Sequence, residues 1–204
     1  MFWGLTVVAL AYLVGSLLFG VVYSRLLKGK DIRNTDNPGG SGSIRQFGWG
    51  FGLLVGISDA LKGVLVAYFV YTLSRDPVVM LLSAMAVVAG HNWPLYFGFR
   101  GGGGLAPAFG VTIYHFPLEF ALGLVPALLA YLLYKHTSLP LYLPHVGPVP
   151  VLSVTGLLAV FFLVWQRHGL YPHAALLVAM LLPIAGGGYS MYLRDQRKRK
   201  VQAS

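Results

Sequence analysis

The chain has 204 residues, of which 56% are hydrophobic and 10% are charged, whereas soluble domains carry about 25% charged residues. This composition excludes a water-soluble domain and indicates one domain in a lipid bilayer. The formal charge is +9, but the basic residues lie in short loops and a tail between apolar runs, which argues against a nucleic-acid surface. The absence of cysteine excludes thiol catalysis, disulfides and cysteine-ligated metals.

Six apolar runs are long enough to cross the hydrocarbon core, which takes about 20 helical residues. In chain order they are Phe2–Leu27, Phe51–Leu73, Pro77–Phe97, Leu118–Tyr134, Val149–Trp165 and Pro172–Leu193. A shorter apolar piece between Gly104 and Pro117 predicts a half-helix or re-entrant segment that lines a cavity. The sequence therefore predicts an all-α bundle of about seven membrane segments, one of them short, over residues 1–193, followed by a basic tail over residues 194–204.

The distribution of basic residues predicts the orientation. The first segment has no basic start and no cleavage site before Arg25, so we expect it to remain as an anchor. Most basic residues fall on one side of a seven-segment bundle: Arg25, Lys28, Lys30, Arg33, Arg45, Arg100, Arg194, Arg197, Lys198, Arg199 and Lys200. Chiefly Arg75 is left on the other side, which predicts an outside N-terminus and a cytoplasmic C-terminus in the cell's inner (plasma) membrane. The stretch Ser138–Pro150 is predicted to be an interfacial loop.

The loop after the first segment, Asp31–Arg45, is rich in glycine, serine and asparagine. Glycine lets successive backbone N–H groups converge, Ser and Asn add donors, and Arg45 supplies a planar charged fork. These features favour a phosphate-binding loop. A flexible cytoplasmic loop of the same composition is the alternative.

A second polar sequence starts at Gly90-His91-Asn92 and continues to Arg100 and four consecutive glycines, Gly101–Gly104. Such a glycine run between two membrane segments favours close approach of the backbone to a ligand, and a plain hinge is the alternative. His91, at the cytoplasmic end of the third segment, is a candidate donor to phosphate or a candidate acid or base. A histidine satisfied by packing is the alternative for this residue.

Asp59 and Lys62 lie inside an apolar segment, three residues apart and therefore on one helix face. Ionisable groups at membrane depth indicate function by default, and a structural ion pair that orients the helix is an equally weighted alternative. The pair is also the basis of a third hypothesis, a transporter or channel, although no internal repeat supports an inverted-repeat transporter. Glu119, near a segment end, is interpreted as interfacial.

Four separated motifs together resemble the PlsY-type acyl-phosphate:glycerol-3-phosphate acyltransferases, in order and spacing, over roughly residues 10–115. They are Tyr12–Ser16 with Gly20, Asn37-Pro38-Gly39 with Ile44-Arg45, Gly52 through Asp59-x-x-Lys62-Gly63, and Gly90-His91 through Gly98-Phe99-Arg100-Gly101-Gly102-x-Gly104. A match of four motifs in register is far more specific than any one of them.

The resemblance implies a seven-helix inner-membrane enzyme of phospholipid biosynthesis, which transfers a fatty acyl group from acyl phosphate to the sn-1 hydroxyl of glycerol 3-phosphate and forms lysophosphatidate. It implies no metal, nucleotide or other cofactor, and it specifies no protein partner. By motif position, it implies catalytic roles for His91, Asn37 and Ser41, phosphate binding by Arg45, Gly39, Gly101, Gly102 and Gly104, and polar support from Asp59 and Lys62. Because acyl phosphate is already activated, positioning and charge neutralisation suffice without a protein nucleophile.

The chain departs from the family pattern in the first loop, where Ser41-Gly42 also replaces Thr-Asn, in the second motif, where Pro107 also replaces a usual Thr, and near the C-terminal end. Thr35-Asp36-Asn37 is shorter than the family's loop by about two residues and adds a carboxylate; Gly103 replaces the lysine of a Gly-Gly-Lys-Gly motif; and the C-terminal His-x-Glu-Asn-Ile motif is absent around Tyr192–Gln196. An unreplaced loss of this lysine costs about 2–4 kcal/mol of transition-state stabilisation. The alternative is therefore a catalytically impaired paralogue, which binds phosphorylated lipid precursors or partners an active acyltransferase.

Overall fold

The structure, a computed structural model, describes residues 2–137 and 148–203. All regular structure in this part of the chain is helical, which confirms the predicted all-α class. Six helical segments within it are long and apolar enough to cross a membrane: Phe2–Lys28, Trp49–Leu73, Pro77–Phe97, Pro117–His136, Val151–His168 and Leu170–Arg194. The predicted short piece is the helix Leu105–His115, so the structure is consistent with seven segments.

The helices are α1 (Phe2–Gly15), α2 (Phe19–Lys28), α3 (Gly40–Phe47), α4 (Trp49–Leu73), α5 (Pro77–Asn92), α6 (Leu105–His115), α7 (Pro117–His136), α8 (Pro148–His168) and α9 (Ala175–Ala203). Short turns of 3-10 helix lie at Ile32–Asn34 and Leu95–Phe97, and a π-helical turn lies at Leu170–Ala174. Of the predicted interfacial loop Ser138–Pro150, residues 138–147 lie outside the described residues. The backbone of α9 continues through Ala203, beyond the predicted end of the last apolar segment at Leu193.

The chain forms two compact units, residues 1–114 with 178–204 and residues 115–177. In the second unit, α7 and α8 approach closely because both carry glycine: a Cβ at Gly123 would meet the Val160 side chain, and one at Gly156 would lie 3.2 Å from Cβ of Ala127. Small residues are the usual way for membrane helices to pack. The same unit buries Glu119, whose carboxylate lies 3.0 Å from His168 Nε2 and 3.2 Å from an Arg167 nitrogen.

In the first unit, glycines again allow helices to approach closely. A Cβ at Gly15 would meet the backbone of Val87, and one at Gly90 would meet the Tyr12 carbonyl, so α1 and α5 pack backbone to backbone. Gly110 of α6 lies in the same way against the Ala60 carbonyl of α4. Because lipid tails are as apolar as the side chains, this close van der Waals packing, rather than hydrophobic burial, holds such helices together.

The first membrane segment is broken between Gly15, where α1 ends, and Phe19, where α2 begins. The carbonyls of Gly15 and Leu17 accept hydrogen bonds from Lys62 Nζ at 2.9 and 2.6 Å. A helix end leaves carbonyls unsatisfied and carries partial negative charge, so a buried ammonium group stabilises it. Lys62 on α4 therefore holds the break that separates α1 from α2.

Candidate active site

Asp59, Lys62 and His91 form a buried cluster between α4 and α5. Lys62 Nζ lies 3.0 Å from Asp59 Oδ1 and 2.9 Å from His91 Nδ1, and each side chain is at most 3% exposed. The predicted shared face of Asp59 and Lys62 is observed. Lys62 also contacts His91 and the carbonyls at the helix break; a role of the pair in supporting the site remains a prediction.

His91 Nδ1 lies 2.9 Å from Lys62 Nζ and 3.5 Å from Asp59 Oδ1. Because an ammonium group can only donate, the contact with Lys62 favours the tautomer that carries its proton on Nε2. Nε2 lies beside the glycine run, because a Cβ at Gly102 would stand 2.5 Å from it. Of the roles that the sequence left open for His91, this arrangement favours a hydrogen-bond donor over a base.

The glycine run folds back onto the end of α5. The Gly101 amide donates to the Asn92 carbonyl and the Gly102 amide to the His91 carbonyl, each at 3.1 Å. Gly104 has a φ of +80°, in the region that favours glycine, and a Cβ there would be 2.6 Å from Val88. Because the amides of Gly101 and Gly102 are already bonded within the chain, this geometry does not offer them to a phosphate as the sequence suggested.

The first loop is ordered by carboxylates paired with arginines. Asp36 accepts two hydrogen bonds from Arg45, at 2.6 and 3.0 Å, and one from the Asn37 amide at 2.7 Å. Burial opposes ionisation of Asp36, but these hydrogen bonds outweigh it and hold the pKa of the carboxyl below its ordinary value. Hydrogen bonds from Arg33, the largest influence, lower the pKa of Asp31 well below its usual range.

Asn37 and Gly39 lead into α3. The Asn37 side-chain oxygen accepts from the Gly39 amide at 3.1 Å, and its amide nitrogen lies 2.8 Å from the Met191 sulfur of α9. Gly39 is the residue that caps the N-terminus of α3. Ser41 is exposed in the first turn of that helix.

A cavity of about 140 Å³ lies between the first loop, the start of the glycine run and α9. It is lined by Arg33, Asp36, Asn37, Pro38, Arg45, Arg100, Met191 and Arg194. Four guanidinium groups thus surround a space that contains one carboxylate. Planar guanidinium forks match the geometry of phosphate oxygens, so the chemistry of these walls suits a phosphate group.

The structure brings only some of the predicted site residues to this cavity. Asn37 and Arg45 line it, and Gly101 adjoins it through its carbonyl, which accepts from Arg194 at 2.9 Å. His91, Ser41, Gly39, Gly102 and Gly104 are not among the lining residues.

Sequence reasoning missed Arg194, which it assigned to the tail, and it did not pair Asp36 with Arg45. The available signals were a basic residue at the end of the last segment and the added carboxylate in the first loop. The described residues contain no cluster of three His, Asp or Glu side chains that could hold a metal; independence from metals and cofactors remains a prediction.

The chain matches a family of known proteins over most of its length. A sequence model described as glycerol-3-phosphate acyltransferase matches residues 5–186. Glycerol-3-phosphate acyltransferase 2 of Deinococcus radiodurans is 43% identical over 66% of this chain and 69% of its own, and glycerol-3-phosphate acyltransferase 1 of Dehalococcoides mccartyi is 34% identical over 93% and 87%.

The fold is also similar to a solved structure. The crystal structure of PlsY, an integral membrane glycerol 3-phosphate acyltransferase, in its glycerol 3-phosphate form superposes with a TM-score of 0.71. The sequences are 31% identical, and the match covers 96% of this chain and 93% of that one. As the four sequence motifs predicted, the chain belongs to the PlsY-type glycerol-3-phosphate acyltransferase family of integral membrane proteins.

Proposed function

We propose that this chain transfers a fatty acyl group from acyl phosphate to glycerol 3-phosphate and so forms lysophosphatidate for phospholipid biosynthesis. The observation that carries the proposal is the cavity walled by four arginines, on a chain that belongs to this family. The two solved PlsY structures similar to this chain are named for their glycerol 3-phosphate and lysophosphatidic acid forms. A polar, cationic cavity on an apolar helix bundle suits a reaction between a soluble phosphate ester and a membrane-bound acyl donor.

The phosphate of glycerol 3-phosphate binds, in this proposal, to side-chain cations. The Arg45 guanidinium donates to the two carboxylate oxygens of Asp36. A phosphate dianion offers a similar pair of oxygens with more negative charge, so it can take the place of the carboxylate on Arg45. Arg100, exposed on the cavity wall, adds a second cation. Asn37 orders the loop beneath them through its bond to Gly39.

The reaction needs positioning rather than a protein nucleophile. The substrate hydroxyl attacks the acyl carbonyl, an ester bond forms, the bond from carbonyl carbon to phosphate oxygen breaks, and the departing phosphate takes the hydroxyl proton. Cations at the cavity neutralise the charge that the phosphate acquires as it leaves. His91, whose Nε2 lies beside Gly102, does not line the cavity and in this proposal supports the glycine run that adjoins it.

We place the cavity on the cytoplasmic side of the inner membrane. Residues of the first loop, Arg100 and Arg194 line one cavity, which supports placing these basic segments on the same side of the membrane. The excess of Lys and Arg in these segments favours the cytoplasmic side. The membrane domain then comprises residues 1–193 and the cytoplasmic tail residues 194–204, with Arg194 at their boundary.

The function is tested with purified protein in detergent or proteoliposomes, acyl phosphate and labelled glycerol 3-phosphate. The expected result is labelled lysophosphatidate. No product above a protein-free membrane blank would contradict the proposal. Binding of glycerol 3-phosphate without product would instead support an impaired paralogue.

Removing the charge of Asp36 is expected to strengthen substrate binding. In the Asp36→Asn variant the side-chain oxygen can still accept from the Asn37 amide, but no carboxylate competes for Arg45 or repels a dianion. Because the pKa of Asp36 lies below its ordinary value, the carboxylate is ionised throughout about pH 5–8, and the difference is present across that range. We expect KM for glycerol 3-phosphate to fall about threefold to tenfold, equivalent to about 0.7–1.4 kcal/mol.

The matched control is Asp76→Asn. Asp76 is exposed, caps α5 by accepting from the Val78 amide and does not line the cavity. The KM of Asp76→Asn for glycerol 3-phosphate should therefore equal that of the natural chain. An increase in KM for Asp36→Asn would mean that the carboxylate helps to bind substrate, contrary to this account.

A further inference from the structure

We propose that Arg194 of α9 is a phosphate-binding residue of this site and supplies, from the last helix, a cation that the glycine run lacks. The inference rests on the proposed function, since it concerns the same cavity. It adds a residue that the sequence assigned to a basic tail, and it explains how a chain with Gly103 in the glycine run can still surround a phosphate with positive charge.

One turn of α9 lies against both loops of the site. Met191 and Arg194 are three residues apart and so share a helix face, and both line the cavity. Met191 contacts the Asn37 amide nitrogen of the first loop, and Arg194 donates to the Gly101 carbonyl of the glycine run. The last helix therefore forms a wall of the cavity.

This helix is fixed where it passes the end of α5. The Asn92 side chain, fully buried, donates to the Pro183 carbonyl of α9, and a Cβ at Gly187 would meet that same side chain. Arg194 lies about two helical turns beyond Gly187. Its guanidinium is thus held over the cavity by a rigid element rather than by a loose tail.

Gly103 lies beside the helix that carries Arg194. A Cβ at Gly103 would stand 2.9 Å from Cε of Met191, so a side chain at this position would contact the flexible end of a residue of α9. Arg194, one turn further along the same face, reaches the neighbouring Gly101 carbonyl at 2.9 Å. Its planar fork carries five N–H donors, which suits a phosphate better than an ammonium group does.

The other arginines at the cavity do not make Arg194 redundant. Arg33 is bound to Asp31 at 2.7 Å and Arg45 to Asp36 at 2.6 Å, so each of these cations already faces an anion of the chain. Arg100 and Arg194 also line the cavity and add positive charge for a dianionic substrate.

The test is the affinity for glycerol 3-phosphate, measured by calorimetric titration without an acyl donor at two salt concentrations. We expect Arg194→Gln to weaken binding at least tenfold and to reduce its salt dependence, while Arg194→Lys retains most of the affinity. The control Arg75→Gln removes an arginine that packs on Tyr71 and does not line the cavity. This variant should bind glycerol 3-phosphate with the affinity of the natural chain.

A variant that moves the positive charge to another position tests whether Arg194 acts as a cation or only as a structural contact. Gly103→Lys introduces a side chain that meets only the flexible end of Met191, so we expect the double variant Arg194→Gln/Gly103→Lys to recover most of the lost affinity. If Arg194 acts only through its own bond to the Gly101 carbonyl from α9, a lysine added at another position should give no recovery.

Two results overturn the inference: natural affinity in Arg194→Gln, or weak affinity with a lowered melting temperature in both Arg194→Gln and Arg194→Lys. The titration does not depend on acyl transfer. If the natural chain binds glycerol 3-phosphate through Arg194 but forms no lysophosphatidate, the proposed function fails and the inference stands.

Discussion

Replacing Arg45 by glutamine is expected to raise KM for glycerol 3-phosphate about 100-fold. The substitution removes the fork that holds two oxygens in the structure and leaves the Asp36 carboxylate in the cavity to repel the substrate. Hydrogen bonds to charged groups contribute about 1.5–3 kcal/mol, and 1.36 kcal/mol corresponds to a factor of ten. Steady-state acyl transfer at varied glycerol 3-phosphate concentration measures this effect.

Two further variants show whether charge is the cause. Asp36→Asn combined with Arg45→Gln should recover part of the affinity, because the repelling carboxylate is gone. Arg75→Gln, at a position outside the cavity, should leave KM unchanged. A normal KM in Arg45→Gln would mean that the phosphate binds elsewhere.

Replacing Lys62 by methionine is expected to destabilise the fold severely. The change leaves buried Asp59 without its ion-pair partner at 3.0 Å and removes the donor from the carbonyls of Gly15 and Leu17. Breaking a buried pair costs about 3–5 kcal/mol. For a chain of this size, the melting temperature in detergent should fall by about 6–20 °C.

The double variant Asp59→Asn/Lys62→Met distinguishes loss of charge balance from loss of the hydrogen bonds. It leaves no unpaired buried charge, so it should melt between the natural chain and Lys62→Met. If Lys62→Met melts like the natural chain, the pair does not support the fold, and a role in moving ions or protons, tested by flux in proteoliposomes, would return to consideration.

Much of the fold follows from the sequence because the bilayer imposes simple rules. Apolar runs of about 20 residues predict spanning helices, and the predicted segments Phe51–Leu73 and Pro77–Phe97 match α4 and the region from α5 to Phe97 closely. The break at residues 16–18 was not predictable from hydropathy, since the run Phe2–Leu27 is continuous. The break is held by Lys62, a partner 45 residues away along the chain.

Cavity residues that belong to a local sequence motif could be predicted from the sequence. Residues that reach the cavity only through contacts between distant parts of the chain could not. Asn37 and Arg45 were predicted from the first loop and line the cavity. The glycine amides were expected to face a phosphate, but they bond to carbonyls of α5, because the run turns back at the end of that helix. Arg194 was missed because its place depends on how α9 passes the glycine run, and no local pattern records that approach.

The most direct test of the account is an experimental structure of the protein with glycerol 3-phosphate bound. We expect phosphate density in the cavity between Arg45, Arg100 and Arg194, with Asp36 displaced from Arg45. Phosphate density outside this cavity, with the contact between Asp36 and Arg45 intact, would contradict it.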